Sequence, residues 1–159
     1  MAKTLRILTI KKKKDLETLR IVSDEVKKEE FGDQSFNKFL DDLLETAIGS
    51  KIPACGISSP QVGVNKRVFY INNYDTKEWE LFINPIVEPI NFTKIESDEA
   101  CLSIPNCEGR VSRYKRVKVK FQDRKGIWYI KKYDDYNAIT IQHENDHLDG
   151  ILFTDRVGK

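Results

Sequence analysis

Apolar residues recur at three- and four-residue intervals between Phe36 and Ile48, taking in Phe39, Leu40, Leu43, Leu44 and Ala47. That spacing predicts a helix with one buried face, capped by Ser35 and stopped by Gly49. It carries no chemical group of interest and reads as structural. From Arg67 onward the pattern changes to short β-branched and aromatic runs, VFYI, LFINPIVEPI, VKVKF and IWYIKK, separated by Asn, Asp, Lys and Gly. These predict an antiparallel sheet. After Tyr133 the strand pattern stops. From about Tyr136 to Leu148 the residues Ala138, Ile139, Gln142, His143, Asp146 and His147 return to helical spacing, with Asp134 or Asp135 as cap and Gly150 just past the end. Between Leu16 and Lys28 apolar and charged residues mix, as in a surface helix or a loop. The predicted fold class is α+β, with antiparallel strands packed around a central helix.

Composition narrows the picture. A chain of 159 residues with 40% hydrophobic content suits one globular domain, spanning 1–159, and no repeat, low-complexity tract or linker divides it. The formal net charge of +2 announces no nucleic-acid partner, so no DNA is expected. The run Lys11 to Lys14 reads as a solvated loop. Three cysteines, an odd count, in a chain with no apolar leader predict free thiols in a reducing cytoplasm. No apolar stretch approaches the roughly 18 residues of a membrane span, so no membrane partner is expected.

Both histidines of the chain lie in IQHENDHLDG, Ile141 to Gly150. His143 and His147, four positions apart on a helix, project from one face about one turn apart and can share one metal ion. Glu144, beside the first, is placed to take and return a proton from a water at that ion. A catalytic site of this kind usually has a third protein ligand. The nine residues after Gly150 contain neither histidine nor glutamate, so that ligand is expected upstream. Thiolate binds divalent metals strongly, which makes Cys55, Cys101 and Cys107 the candidates, with Cys101 in the notable context DEACLSIP.

Three stretches occur in order: ACGISSPQ from Ala54 to Gln61, EACLS from Glu99 to Ser103, and QHENDHLDG from Gln142 to Gly150. They resemble the three motifs of the peptide deformylase family, G-x-G-x-A-A-x-Q, E-G-C-L-S and Q-H-E-x-D-H-L-x-G. The resemblance covers nearly the whole chain. It implies Cys101 as the third ligand beside His143 and His147. Departures from the pattern are Ala54 and Ala100 in place of glycines, Ser58 and Ser59 in place of the paired alanines, and Glu108 near the position where many members carry an arginine in a segment resembling R-G-x-V-x-R. Without an extended C-terminal helix the chain looks like a short variant of the family.

The resemblance implies hydrolysis of the N-formyl group of the initiator methionine, with N-formylmethionyl nascent peptides as substrate and a transient association with the ribosome. A divalent metal is implied, Fe2+ by family, although the ligand set also suits Zn2+, Ni2+ or Co2+. Glu144 is then the general base and acid. The Gln61 amide and the backbone N–H of Leu102 are the implied donors to the developing oxyanion. An apolar pocket for the methionine side chain has Ile57, Tyr136 and Ile139 as candidates, and Gly56 would let the peptide backbone approach for strand-like pairing. Gln142 and Asp146 are candidates for orienting the imidazoles. The expected location is the cytoplasm of a bacterium or of a virus-infected bacterial host, and an organelle also fits. The competing functions are a metal- and peptide-binding descendant without turnover and a zinc-dependent peptidase.

Overall fold

A computed structural model describes residues 1–159. Two helices come first, α1 (Lys13–Leu19) and α2 (Gln34–Ile48). On α2 the predicted stripe is buried: Phe36, Leu40, Leu43 and Ala47 pack on Ile57, Val68, Tyr70 and Ile83. The cap is Asp33 rather than Ser35, its carboxylate accepting the Phe36 N–H at 3.1 Å. Ser35 lies inside the first turn and donates to that same carboxylate. The segment predicted to be a surface helix or loop is helical only to Leu19, and a 3₁₀ turn follows at Lys28–Glu30.

The strands are β1 (Gly56–Ser58), β2 (Val68–Asn72), β3 (Trp79–Pro89), β4 (Lys94–Cys101), β5 (Ile104–Tyr114), β6 (Arg116–Gln122) and β7 (Trp128–Asp134), and α3 (Asp135–Leu148) follows them. All pair antiparallel, but in two sheets. One has five strands in the order β1-β2-β3-β6-β7, and the other is the β4–β5 hairpin. Period-two alternation divides the larger sheet's side chains between its faces. Phe69, Ile71, Phe82, Val117, Val119, Phe121 and Tyr133 meet Ala138, Ile141 and Leu148 of α3. The other face offers Val68, Tyr70 and Ile83 to α2.

The hairpin is fastened by a third cluster, in which Ile104 and Val111 pack with Leu8, Leu19, Leu152 and Phe153. α3 thus lies between sheet and hairpin, as the predicted central helix. It is buried on several sides, including at Glu144, Asp146 and His147. Gly150 ends it at φ 72°, where a Cβ would run into the Arg20 carbonyl, so both conformation and packing require glycine. No helix is long and apolar enough to cross a membrane.

The N-terminal segment is tied to α1 through Asp15, which accepts from the Arg6 guanidinium at 2.8 and 3.0 Å and from the Thr9 N–H at 3.1 Å. The Arg6 hydrogen bonds hold the carboxyl at about 2. A folded-state value below the unfolded value of about 3.9 stabilises the fold above that pH, and the contribution fades as pH falls toward the folded value. In urea melts, the gap in midpoint between wild type and Asp15→Asn is expected to be widest above about pH 5 and to close on acidification. A gap that does not change with pH would contradict the assignment.

Candidate metal centre

His143 and His147 lie one turn apart on α3, with ring centroids 5.2 Å apart. Cys101 ends β4 and brings its Sγ to 3.3 Å from His147 Nε2. The ligand atoms of the three residues lie within 4.8 Å of one another. Of the three free thiols, Cys101 is the one whose sulfur lies among the clustered ligand atoms, and Cys55 and Cys107 stand outside that group. Burial pushes the Cys101 thiol up, but the charges and hydrogen bonds of His147 and His143 outweigh this and hold it well below its ordinary value. One thiolate and two imidazoles fit a divalent ion.

The imidazole of His143 is oriented by Glu99, whose Oε1 lies 2.9 Å from Nδ1, leaving Nε2 free to ligate. Glu99 precedes Cys101 by two residues on β4, so the strand period brings carboxylate and thiol to the same face. Arg113 of β5 grips Glu99 with two hydrogen bonds, 2.9 and 2.8 Å, and gives a third, 2.6 Å, to Asp146 of α3. Arg156 grips Asp146 from the far side at 2.7 and 2.9 Å. Glu99, Arg113 and Asp146 are all buried. Burial alone would raise the Glu99 pKa, but the hydrogen bonds from Arg113 and His143 hold it at about 2.

Glu144 lies in the opposite environment. It is 4% exposed, its Oε1 has no protein hydrogen-bond partner, and burial pushes its pKa up to about 7. A Cβ added at Gly56 would sit 2.8 Å from Glu144 Oε2 and 2.8 Å from the Tyr70 carbonyl. The missing side chain of Gly56 therefore makes room for that carboxylate. Gln61 is buried in a 3₁₀ turn, and its Oε1 accepts from the Ser58 N–H at 3.0 Å and the Ser58 hydroxyl at 3.1 Å. Its Nε2 consequently points at Cys101 Sγ, 3.4 Å away, and at Ser103 Oγ, 3.2 Å away.

A cleft of about 1650 Å³ opens onto these groups, lined among others by Gly56, Gln61, Leu102, Tyr136, Ile139 and Glu144. Ile57 does not line it. That residue is fully buried against α2, because alternation on β1 turns it away from the face on which Gly56 meets Glu144. Gln142 and Asp146 hydrogen-bond neither imidazole. Gln142 pairs with the Tyr114 backbone at 3.0 and 2.8 Å, and Asp146 serves the arginines.

The profile of the polypeptide deformylase family matches residues 4–159. The chain belongs to that family. A peptide deformylase of Fusobacterium nucleatum is 36% identical over 146 residues, 92% of this chain and 82% of its own length. One of Heliobacterium modesticaldum is 41% identical over 123 residues, 77% of this chain and 78% of its own. Among solved structures, a class I type b peptide deformylase from Acinetobacter baumannii superposes with a TM-score of 0.89 at 26% identity, covering 98% of this chain and 100% of that one. The peptide deformylase from Thermotoga maritima gives 0.87 at 30% identity, covering 98% and 99%. The chain is accordingly a metal-dependent amide hydrolase that removes the formyl group from the formyl-methionine of nascent peptides.

Glu99 opens the second quoted motif, but its role was not visible there; a carboxylate two positions before a candidate thiolate, on a strand, is the signal that would have found it, and Arg113 lies outside the three quoted motifs. The altered positions are accommodated. Neither Ala54 nor Ala100 has positive φ, so neither strains the backbone, and Ser58 supplies the two hydrogen bonds that aim Gln61. Glu108 lies opposite Ala100 across the hairpin and lines the cleft. Arg113→Lys keeps a charge but loses the forked grip on Glu99. Its metal affinity, read by competition with a chelator, is expected to fall about 10–100-fold, and unchanged affinity would show that Glu99 holds His143 unaided.

Proposed function

We propose that Cys101, His143 and His147 hold the metal, that Glu144 moves the proton, and that Gln61 and the Leu102 N–H stabilise the oxyanion. The observation that carries this reading is the Gln61 amide, fixed by Ser58 and aimed at the Cys101 thiol in the cleft that Glu144 also lines. When bound, a divalent ion supplies an activated water and polarises the formyl carbonyl. Glu144 accepts a proton as water adds to the formyl carbon, and its raised pKa suits it to hold that proton and deliver it to the leaving amine. The C–N bond then breaks to give formate and a free N-terminus. Charge that develops on the formyl oxygen is met by the Gln61 amide, whose oxygen Ser58 holds, and by the N–H of Leu102, which lines the cleft.

The peptide lies along the open edge of β1, the outermost strand beside the cleft, with Gly56 allowing close approach. Tyr136 and Ile139 line the pocket for the methionine side chain; Tyr136 is exposed and its ring lies tilted beside that of Tyr74, with centroids 4.8 Å apart. An Acinetobacter baumannii relative has been solved with Met-Ala-Ser bound, which supports a short N-terminal peptide as occupant. Residues 1–159 act as one catalytic domain, in the cytoplasm, with Fe2+ as the working ion and a transient ribosome association.

Formate release from formyl-Met-Ala-Ser, measured on anaerobically purified protein with an unformylated peptide in parallel, tests the reading. Formate without internal cleavage is expected. Metal bound without formate would make the protein a binding descendant, and cleavage of the unformylated peptide would make it a peptidase. Glu144→Ala is expected to keep its metal and lose roughly 100-fold or more in turnover; full activity would remove Glu144 from the mechanism. Cys101→Ala is expected to lose stoichiometric metal, whereas Cys55→Ala and Cys107→Ala retain it. Equal metal content in all three would displace Cys101 as a ligand.

A further inference from the structure

The second face of the five-stranded sheet is only partly covered. α2 packs over Ile57, Val68, Tyr70 and Ile83 of β1 to β3, and β6 and β7 leave their half of that face to solvent. The alternation that buries Val117, Val119 and Phe121 against α3 turns Lys118 and Lys120 outward. Across the ladder Lys118 stands opposite Lys132, and Lys120 opposite Ile130. Trp128 completes the row at 47% exposure, with Ile130 at 63%. From Lys115 to Lys132 the chain carries eight cations against one acid, Asp123, although its overall charge is only +2.

Some of these cations are engaged: Arg116 pairs with Asp134, Arg124 with Asp41, and Lys118 lies 3.8 Å from Glu88. Lys120, Lys125, Lys131 and Lys132 have no carboxylate partner. Lys120 instead places its ammonium 4.9 Å from the centroid of the Trp128 ring, so charge and an exposed aromatic surface stand side by side. A groove of about 930 Å³ adjoins them, lined by Trp128, Lys125, Lys28 and Phe31 among others. It shares no residue with the catalytic cleft.

We propose that this face binds single-stranded RNA, with Lys118, Lys120 and Lys132 on phosphates and a base stacked on Trp128. Lysines in a row satisfy any polyanion, but a half-exposed indole among them adds a platform that unpaired bases use and acidic side chains do not. A flat sheet face presenting aromatic and basic side chains together is a setting in which a splayed single strand makes both contacts.

The test uses the metal-loaded enzyme and a fluorescein-labelled oligouridylate, with binding followed by anisotropy over a range of salt. Three phosphate contacts predict a slope of log affinity against log salt of about −2. Charge reversal in Lys118→Glu/Lys120→Glu/Lys132→Glu is expected to weaken binding at least about 10-fold, and Trp128→Ala about 5-fold or more. Both variants are expected to turn over formyl-Met-Ala-Ser as the wild type does, which shows that they fold and separates this proposal from the catalytic one. Undiminished affinity in the triple variant overturns it, as does binding abolished by reversing Lys11 to Lys14 instead. Indifference to Trp128→Ala, with polyglutamate competing as well as RNA, also overturns it and identifies an acidic polypeptide as the occupant.

Discussion

Two carboxylates and a guanidinium are buried together behind His143, and the rest of the site depends on their being satisfied. Removing such charges from water costs several kcal/mol each, and only close pairing with full hydrogen bonding offsets that. The partners come from separate segments: Glu99 from β4, Arg113 from β5, Asp146 from α3, and Arg156 from just beyond the 3₁₀ turn at Phe153–Asp155. The hairpin shares no ladder with the main sheet; this network, the apolar cluster around Val111 and Phe153, and the Gln142 side chain on the Tyr114 backbone seat it against α3. Docking of some of these segments without the others would leave a charge buried without a partner. Once they dock, the Glu99 carboxylate has one position, and the His143 ring turns its Nε2 toward Cys101 and His147.

Glu99 and Glu144 are the same residue type on two sides of that histidine, and their surroundings separate them. Glu99 receives the Arg113 fork and stays ionised at about 2, as a fixed acceptor should. Glu144 receives no such partner, and burial raises it to about 7, where a carboxyl can both take and give a proton. Gly56 supplies room for Glu144 and an arginine would not; an added cation there would lower its pKa and remove its use. The Gln61 amide is held at both ends, its oxygen by Ser58 and its nitrogen by Cys101 and Ser103.

What the sequence disclosed followed from local periodicity, and what it withheld depended on distant partners. The α2 stripe and the four strand runs were legible because each has one clean apolar face. β4 was not, since Lys94 to Cys101 carries few apolar residues and the hairpin borders an open cleft. The contacts that orient His143 join residues 14, 33 and 44 positions apart, beyond any local pattern. Ile57, a candidate for the methionine pocket, follows Gly56 on β1, and successive residues of a strand face opposite ways, so Gly56 meets the cleft and Ile57 the core. Asp33 and Ser35 are both good caps, and only the closing of the first turn on the Phe36 N–H distinguishes them.

The whole-chain charge concealed an asymmetry in the same way. Lysines alternate with valines in VKVKF, and the strand turns those lysines to the side of the sheet away from α3. The reach of α2 decides how much of the sheet stays wet: Arg124, bonded to the Asn37 carbonyl and paired with Asp41, pins the β6–β7 turn to that helix and marks where its cover ends. Since β7 is an edge strand, Lys131 and Lys132 also discourage pairing with another chain. That protective role accounts for the lysines alone. It would be better served by polar neighbours than by Trp128 and Ile130, which leave large apolar surface exposed at the edge that needs protecting. Their presence beside unpaired cations is the feature that edge protection leaves unexplained and a stacking, phosphate-bearing partner would use.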